Sequence, residues 1–262
     1  MDFIFIGPGK TGSTWLRENL LREKEISLSK EIKETNFFLK KSINNYSKFF
    51  NYFDKSKPIF DIGNTYIYND DLSFLLNSYP RDFTLIFAYR NTIDRLISMF
   101  RFDKKSGLIP QDTTLSEALI DDKYNLISKS IISPKLKTLI SNNFNLIYWN
   151  YENFKIDQKK EYLNLLASMG IKNHNDQINT AHINKAKKLR NKYLSYISRP
   201  LANNLRKYKF YRLLNFFKTN IFFHKLVYVD INKNENLKSE ISESIIKLLM
   251  QEDLELKDIL NN

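Results

Sequence analysis

The stretch "GPGKTGST", residues 7 to 14, packs Gly7, Gly9 and Gly12 among Lys10, Thr11, Ser13 and Thr14. Glycines at this density let the backbone curl so that several N–H groups point inward. Ser13 and Thr14 add hydroxyl donors, and a helix beginning there adds its positive end. The chemistry this implies is an anion cradle at a strand-to-helix turn. It is not the loop of nucleoside triphosphatases, which reads Gly, four residues, Gly-Lys-Ser/Thr. Counted from Gly7, the second glycine is Gly12, Ser13 stands where that lysine belongs, and Lys10 precedes the glycine by two residues.

A second group lies in "YRNTIDRLISMF", residues 89 to 100. Arg90 offers a planar fork suited to a phosphate monoester, and Ser98 follows eight residues later, two helical turns along. Arg95 reads as a structural ion-pair partner. The histidines, His174, His182 and His224, come late and lack ligand spacing, so each reads as surface or structural and no metal site is expected.

These residues need elements to hold them. Residues 2 to 6 read as a buried strand and about 13 to 23 as a helix. A short strand is expected near Ile26 to Ser29, and aromatic spacing in "NFFLKKSINNYSKFFNYF" predicts a helix. "PIFDIG" reads as a third strand. "FTLIFAYR", residues 83 to 90, is a continuous apolar run of the kind found in buried parallel strands. The helix after it has Asn91 or Thr92 as its N-cap. A helical stretch from about Thr114 to Ser141, a strand "FNLIYWN" and a helix from about Asp157 to Met169, closed by Gly170, follow. Beyond residue 175 the pattern predicts mainly helices, ending with an amphipathic one near Leu237 to Gln251. Alternating strands and helices imply right-handed crossovers and a mostly parallel sheet covered on both faces. Ligands bind such sheets at the carboxyl ends of the strands, where both "GPGKTGS" and "RNTID" fall. The expected organisation is a single domain over 1–262, with a core at about 2–170 and a helical C-terminal portion at about 175–262.

The composition agrees with a globular chain: 262 residues, 42% hydrophobic and 14% aromatic. The absence of cysteine excludes disulfides and thiolate metal sites and fits a reducing, cytoplasmic compartment. No run nears the roughly 18 apolar residues of a membrane span, and "FIFI" reads as a buried strand, not a signal peptide. The net charge of +12 is uneven: Gln177 to Val229 contains no Asp or Glu and twelve Lys and Arg. That segment is either a solvated surface or a face attracting an anionic cofactor or acceptor.

The sequence resembles the sulfotransferases that use 3'-phosphoadenosine 5'-phosphosulfate (PAPS). Their first motif, Pro-Lys-x-Gly-Ser/Thr-Thr-x-Leu, stands here as "GPGKTGSTWL". Their second, Arg-Asn-Pro-x-x-Arg with a following Ser, stands as "RNTIDRLIS", with Thr92 in place of proline. "KETNFF", Lys33 to Phe38, is similar to a segment of the carbohydrate sulfotransferases of the heparan-sulfate type, and "NYENF" weakly resembles the family's Tyr-Glu-Asp-Leu. The likeness covers about residues 2 to 170, and the glycine-rich basic loop of the cytosolic phenol and steroid enzymes is not found.

The resemblance implies an α/β, P-loop-like three-layer fold and transfer of a sulfuryl group from PAPS to an acceptor hydroxyl, on a carbohydrate or small molecule. It gives Lys10 the bridging oxygen and the charge building on the leaving phosphate. Thr11, Gly12, Ser13 and Thr14 take the 5'-phosphate, Trp15 lies against adenine, and Arg90 with Ser98 takes the 3'-phosphate. Tyr151 also lines the nucleotide site. With no histidine in a matching motif, Glu34 is the expected general base, Lys33 beside it orients acceptor or sulfuryl oxygens, and Asp61 is a weaker alternative for acceptor contact. Two other readings stay open. An ATP-dependent kinase needs a Gly-Lys-Ser/Thr step, which is absent; a non-enzymatic nucleic-acid or polyanion binder needs no Lys10 and predicts steep salt dependence.

Overall fold

The computed structural model describes residues 1–30, 32–39, 46–173, 178, 187–189, 204, 228–230 and 236–261. Its centre is a sheet of four parallel strands, β1 (Asp2–Gly7), β2 (Phe60–Ile62), β3 (Phe83–Tyr89) and β4 (Leu146–Asn150), in the order β2-β1-β3-β4. Ile4 is registered with Asp61 on one side and Leu85 on the other, and Leu85 with Leu146. Every residue of β1 is buried, which is why its apolar run is continuous: a central parallel strand is covered on both faces.

The pleat divides those apolar residues between two cores. Phe3, Phe5, Ile86, Ala88 and Trp149 meet helix α1 (Ser13–Leu20) on one face. Ile4, Ile6, Leu85, Phe87 and Tyr89 face the other way. Chain order supplies the covers. Helix α2 (Tyr46–Phe50) brings Phe49, and α3 (Leu72–Asn77) brings Leu72, Leu75 and Leu76, to the second core. Helices α4 (Thr92–Lys105) and α5 (Leu115–Leu119) follow, then α6 (Ser133–Ser141), whose Leu136 and Leu139 join the second core. Helices α7 (Tyr151–Ile156) and α8 (Gln158–Ser168) return to the first core through Phe154, Tyr162, Leu165 and Leu166. Gly170, at φ 67°, ends α8 as expected.

The chain forms two compact units, one of Met1–Thr92, Ile131–Ile183 and Gln251–Asn262, the other of Ile93–Ser130 and Asn184–Met250. The first holds the four-stranded sheet. In the second, Arg95 is fully buried and donates to the carbonyls of Lys129 and Ser130 at 3.1 and 2.9 Å. A two-stranded antiparallel ribbon, β5 (Lys187–Leu189) with β6 (Tyr228–Asp230), also lies there, where helices were expected. Helix α9 (Glu243–Asn261) runs ten residues beyond the expected end at Gln251.

Three other local expectations are corrected. Ile26 to Ser29 forms a single bridge, Ser27 with Ile59, not a strand; the Ser27 hydroxyl instead accepts the N–H of Asp54 at 2.7 Å. The aromatic stretch after Asn36 opens with a short 3-10 turn, because Asn36 itself is left-handed at φ 53°; residues 40–45 lie outside the described residues. The stretch 114–141 breaks between α5 and α6 where Asp121, Asp122 and Asn125 take positive φ, a conformation short polar side chains tolerate. The Asp122 carboxylate then accepts the N–H groups of Ile127 and Ser128, both at 2.8 Å.

At the base of β1, the fully buried Asp2 accepts from Ile59 N–H at 2.9 Å and Tyr79 O–H at 2.6 Å, and pairs with Arg81 at 3.1 Å. Truncation strands a buried amide and phenol, so Asp2→Ala is expected to lower unfolding free energy by about 3 kcal/mol. Denaturant unfolding checks this; an unchanged midpoint contradicts it.

Candidate active site

The order β2-β1-β3-β4 places the change of direction between β1 and β3, and there the loop Pro8–Gly12 leaves the sheet. Its carbonyls are turned toward protein donors. Thr11 Oγ1 donates to the Pro8 carbonyl at 2.8 Å, an Arg90 terminal nitrogen to that of Lys10 at 2.6 Å, and Trp149 Nε1 to that of Thr11 at 2.8 Å. In a planar trans peptide the following N–H opposes the carbonyl. The amides of Gly9, Thr11 and Gly12 therefore face away from these donors. Gly12 holds the N-cap position of α1, so the first helical N–H groups, Ser13 to Trp15, extend the same cradle.

Two glycines are required here. A Cβ on Gly7 would lie 2.6 Å from the Asn64 carbonyl oxygen, and Gly12, at φ 82°, would bring a Cβ to 3.2 Å from the Tyr151 ring. Lys10 is left-handed at φ 71°, a conformation that disfavours side-chain-bearing residues by about 1–2 kcal/mol and is held here by the Arg90 contact. Arg90 also stacks over Tyr151, its guanidinium 4.6 Å from the ring centroid. Loop, arginine and tyrosine thus form one assembly.

On the β2 side, Lys33 donates to Thr14 Oγ1 at 2.9 Å and lies 3.5 Å from Glu34. Asn64, just past the end of β2, donates to Glu34 Oε1 at 2.6 Å. Desolvation lowers the Lys33 pKa, and the neighbouring Glu34 carboxylate opposes that shift. Asp61 lies deeper, 2% exposed, accepting from Thr35 at 3.0 Å and Tyr66 at 2.7 Å. Burial pushes its carboxyl from 3.8 up to about 6 against the pull of those bonds. The folded state thus holds this proton more tightly than the unfolded chain. The group's contribution to stability is full below about pH 4 and is lost as pH rises through about 6. As placed, Asp61 supports the segment that carries Glu34 and does not offer its carboxylate to an acceptor.

The sequence matches the Sulfotransferase domain family over residues 1–212. The chain belongs to the sulfotransferases. A search of curated proteins finds no significant match. Among solved structures, a sulfotransferase from Alicyclobacillus acidocaldarius shares the fold at TM-score 0.56 and 15% identity, over 70% of this chain and 86% of that one. Mouse sulfotransferase SULT7A1, complexed with PAP, aligns at TM-score 0.47 and 18% identity over 94% of this chain and 77% of that one. The fold is the P-loop-like α/β fold, and the family assignment displaces the kinase and non-enzymatic readings.

In this sulfotransferase the expected site residues fall into three groups. Lys10, Thr11, Gly12, Thr14, Lys33, Glu34, Arg90 and Tyr151 are brought together by the contacts above, and Ser13 opens α1 within the cradle. Trp15 is not at an open surface: it is 3% exposed, with Trp149, Phe154 and Tyr162 at ring distances of 6.3, 4.8 and 5.7 Å. Its expected contact with adenine does not fit that burial; it backs Trp149, which holds the loop. Ser98 is half-buried on α4, within the second unit. His174, His182 and His224 lie outside the described residues, as does most of the acid-free basic segment.

Sequence reasoning missed Asn64, Trp149 and Asp253. Their partners are distant in sequence, and only Asn64 carried a local hint, following the glycine that ends "PIFDIG". Asp253 explains Thr92. It accepts the Thr92 N–H at 3.1 Å, a bond proline could not make, and the Tyr89 hydroxyl at 3.2 Å. Behind this turn, on the second-core face, a cavity of about 600 Å³ is lined by Tyr89, Tyr148, Asn91, Glu152 and Lys257 among others. Among the described residues no helix is long and apolar enough to cross a membrane.

Gly12→Ala adds strain at positive φ and presses the new methyl against Tyr151. The variant is expected to lose about 1–2 kcal/mol of stability, read by denaturant unfolding. An unchanged midpoint contradicts this.

Proposed function

We propose that this sulfotransferase takes PAPS as donor and passes its sulfuryl group to a hydroxyl on a carbohydrate or small-molecule acceptor. The observation that carries the reading is the Arg90–Lys10 contact of 2.6 Å at the β1/β3 crossover. It sets a phosphate-grade guanidinium beside an amide cradle, matching a nucleotide with two separate phosphate groups. Arg90 takes the 3'-phosphate; Ser98 joins it on sequence spacing alone. Thr11, Gly12, Ser13 and Thr14 take the 5'-phosphate, and Tyr151 borders the nucleotide. The family uses PAPS; the donor, when bound, supplies a sulfuryl group on a phosphate leaving group.

In this mechanism Lys10 and the loop amides stabilise the negative charge that collects on the bridging oxygen as the sulfur–oxygen bond breaks. Glu34 receives the proton from the acceptor hydroxyl whose oxygen bonds to sulfur. Asn64 and Lys33, at 2.6 and 3.5 Å, keep that carboxylate oriented. Lys33 reaches both Glu34 and Thr14, and so stands where the acceptor and the transferring group meet. The similarity of "KETNFF" to the carbohydrate enzymes favours a sugar hydroxyl.

Adenosine 3',5'-bisphosphate is expected to raise thermal stability far more than AMP, by about 2.7 kcal/mol at a hundredfold excess over its dissociation constant. Arg90→Ala should erase that preference; equal shifts from AMP and the bisphosphate in the wild type would sink the donor assignment. Lys10→Ala should fold normally and lose about a hundredfold or more in kcat. Glu34→Gln should bind the bisphosphate normally and lose about 10²- to 10⁴-fold, measured with labelled PAPS across an acceptor panel. Near wild-type turnover in either variant removes that residue from its role.

A further inference from the structure

Residues Lys33 to Asn36 form neither helix nor strand, so no backbone ladder holds them. Their anchor is the buried end of β2. The Thr35 hydroxyl lies 3.0 and 3.1 Å from the two oxygens of Asp61 and 3.0 Å from the Tyr66 hydroxyl. Tyr66 donates to Asp61 at 2.7 Å and accepts the N–H of Phe37 at 3.0 Å. Gly63 makes room for this arrangement, since a Cβ there would fall 2.0 Å from the Tyr66 ring. Glu34 is therefore bracketed. Lys33 before it is tied to Thr14, Thr35 after it is tied to Asp61, and its own carboxylate is tied to Asn64.

We propose that Asp61 is a positioning residue for the general base: by accepting from Thr35 and Tyr66 it fixes the backbone that carries Glu34 beside the phosphate loop. The inference rests on the reading of Glu34 as the base. The ionised carboxylate accepts from both hydroxyls and from the Ile62 N–H without having a proton of its own to place. Once protonated it becomes a donor itself, and the Thr35 and Tyr66 hydroxyls must rearrange. The charged and titratable groups facing it are Glu34, which disfavours its ionisation, and Tyr66, with Tyr79 farther off; the Thr35 hydroxyl and Ile62 N–H favour ionisation. Burial sets the change near pH 6, so turnover falls as pH drops through that region while bisphosphate binding does not.

The test compares D61N, T35V, T35S and E34Q with the wild type, using PAPS and one accepted acceptor. D61N and T35V are expected to lose about ten- to a hundredfold in kcat, as a small misplacement of a catalytic group can. Their donor KM and their thermal shift with adenosine 3',5'-bisphosphate should stay within about twofold of wild type, as the scale of a preserved donor site. D61N should also lose the acidic limb near pH 6, and T35S, which keeps the hydroxyl, should stay near wild-type kcat. If E34Q is inactive while D61N and T35V turn over like wild type with the acidic limb intact, the base stands and the role of Asp61 is overturned. If E34Q keeps full turnover, the base assignment falls and the positioning role with it. T35V guards against a D61N variant that fails to fold, since it removes the same link without touching the buried carboxyl.

Discussion

The contact between Arg90 and the Lys10 carbonyl fixes what the rest of the site can be. A loop can present amides to an anion only if its carbonyls are satisfied on the opposite side, because each peptide carries both groups on one rigid plane. Here the turn that ends β3 supplies Arg90 and β4 supplies Trp149 as the outer donors. Both requirements follow from strand order: β3 must adjoin β1, and β4 must adjoin β3. The left-handed Lys10 is tolerated because its neighbours over-determine it, as strained functional residues require.

The second half of the site hangs from β2 on the other side of β1. Asn64 serves both halves. Its backbone packs on Gly7, where no Cβ fits, and its side chain holds Glu34. Lys33 completes the link through Thr14. Glu34, on an irregular segment, and the glycine loop are thus both tied to the neighbouring ends of β1 and β2. Burying Asp61 beneath this segment costs stability above about pH 6, and its hydrogen-bond donors offset part of that cost.

Much of this was legible in the sequence, and the reasons differ by element. The runs in β1 and β3 announced a parallel sheet because burial on both faces leaves no polar alternation. "GPGKTGST" and "RNTID" were placed at strand ends correctly, because each directly follows an apolar run, and Arg90 meets the Lys10 carbonyl there. Helix α7 was not seen because six residues are too few to show a helical period, although Asn150 caps it by accepting the N–H groups of Glu152 and Asn153 at 3.0 and 3.2 Å. Nor was the break at Asp121 and Asp122, since a left-handed aspartate looks like any other in sequence. Trp15 carried a ligand-facing expectation from its place in the motif, but the side of α1 it occupies is decided by packing on Trp149 and Tyr162.

Thr92 shows how a departure from a family pattern acquires a structural partner. Proline at that position offers a fixed φ and no donor. Threonine restores the N–H and adds a hydroxyl, both within 3.3 Å of the same oxygen of Asp253, 161 residues away on α9. Asp253 also receives Tyr89 and pairs with Lys257 at 2.9 Å, while Glu252 beside it accepts the N–H groups of Ile132 and Ser133 at 2.9 and 2.8 Å. The last helix therefore closes on the turn that carries Arg90 and on the start of α6 together. A proline at 92 would leave Asp253 buried with fewer donors, so the exchange and the acidic pair on α9 belong to one solution. Through Thr92 and Tyr89, residues of α9 help set where the Arg90 guanidinium beside the glycine loop can stand.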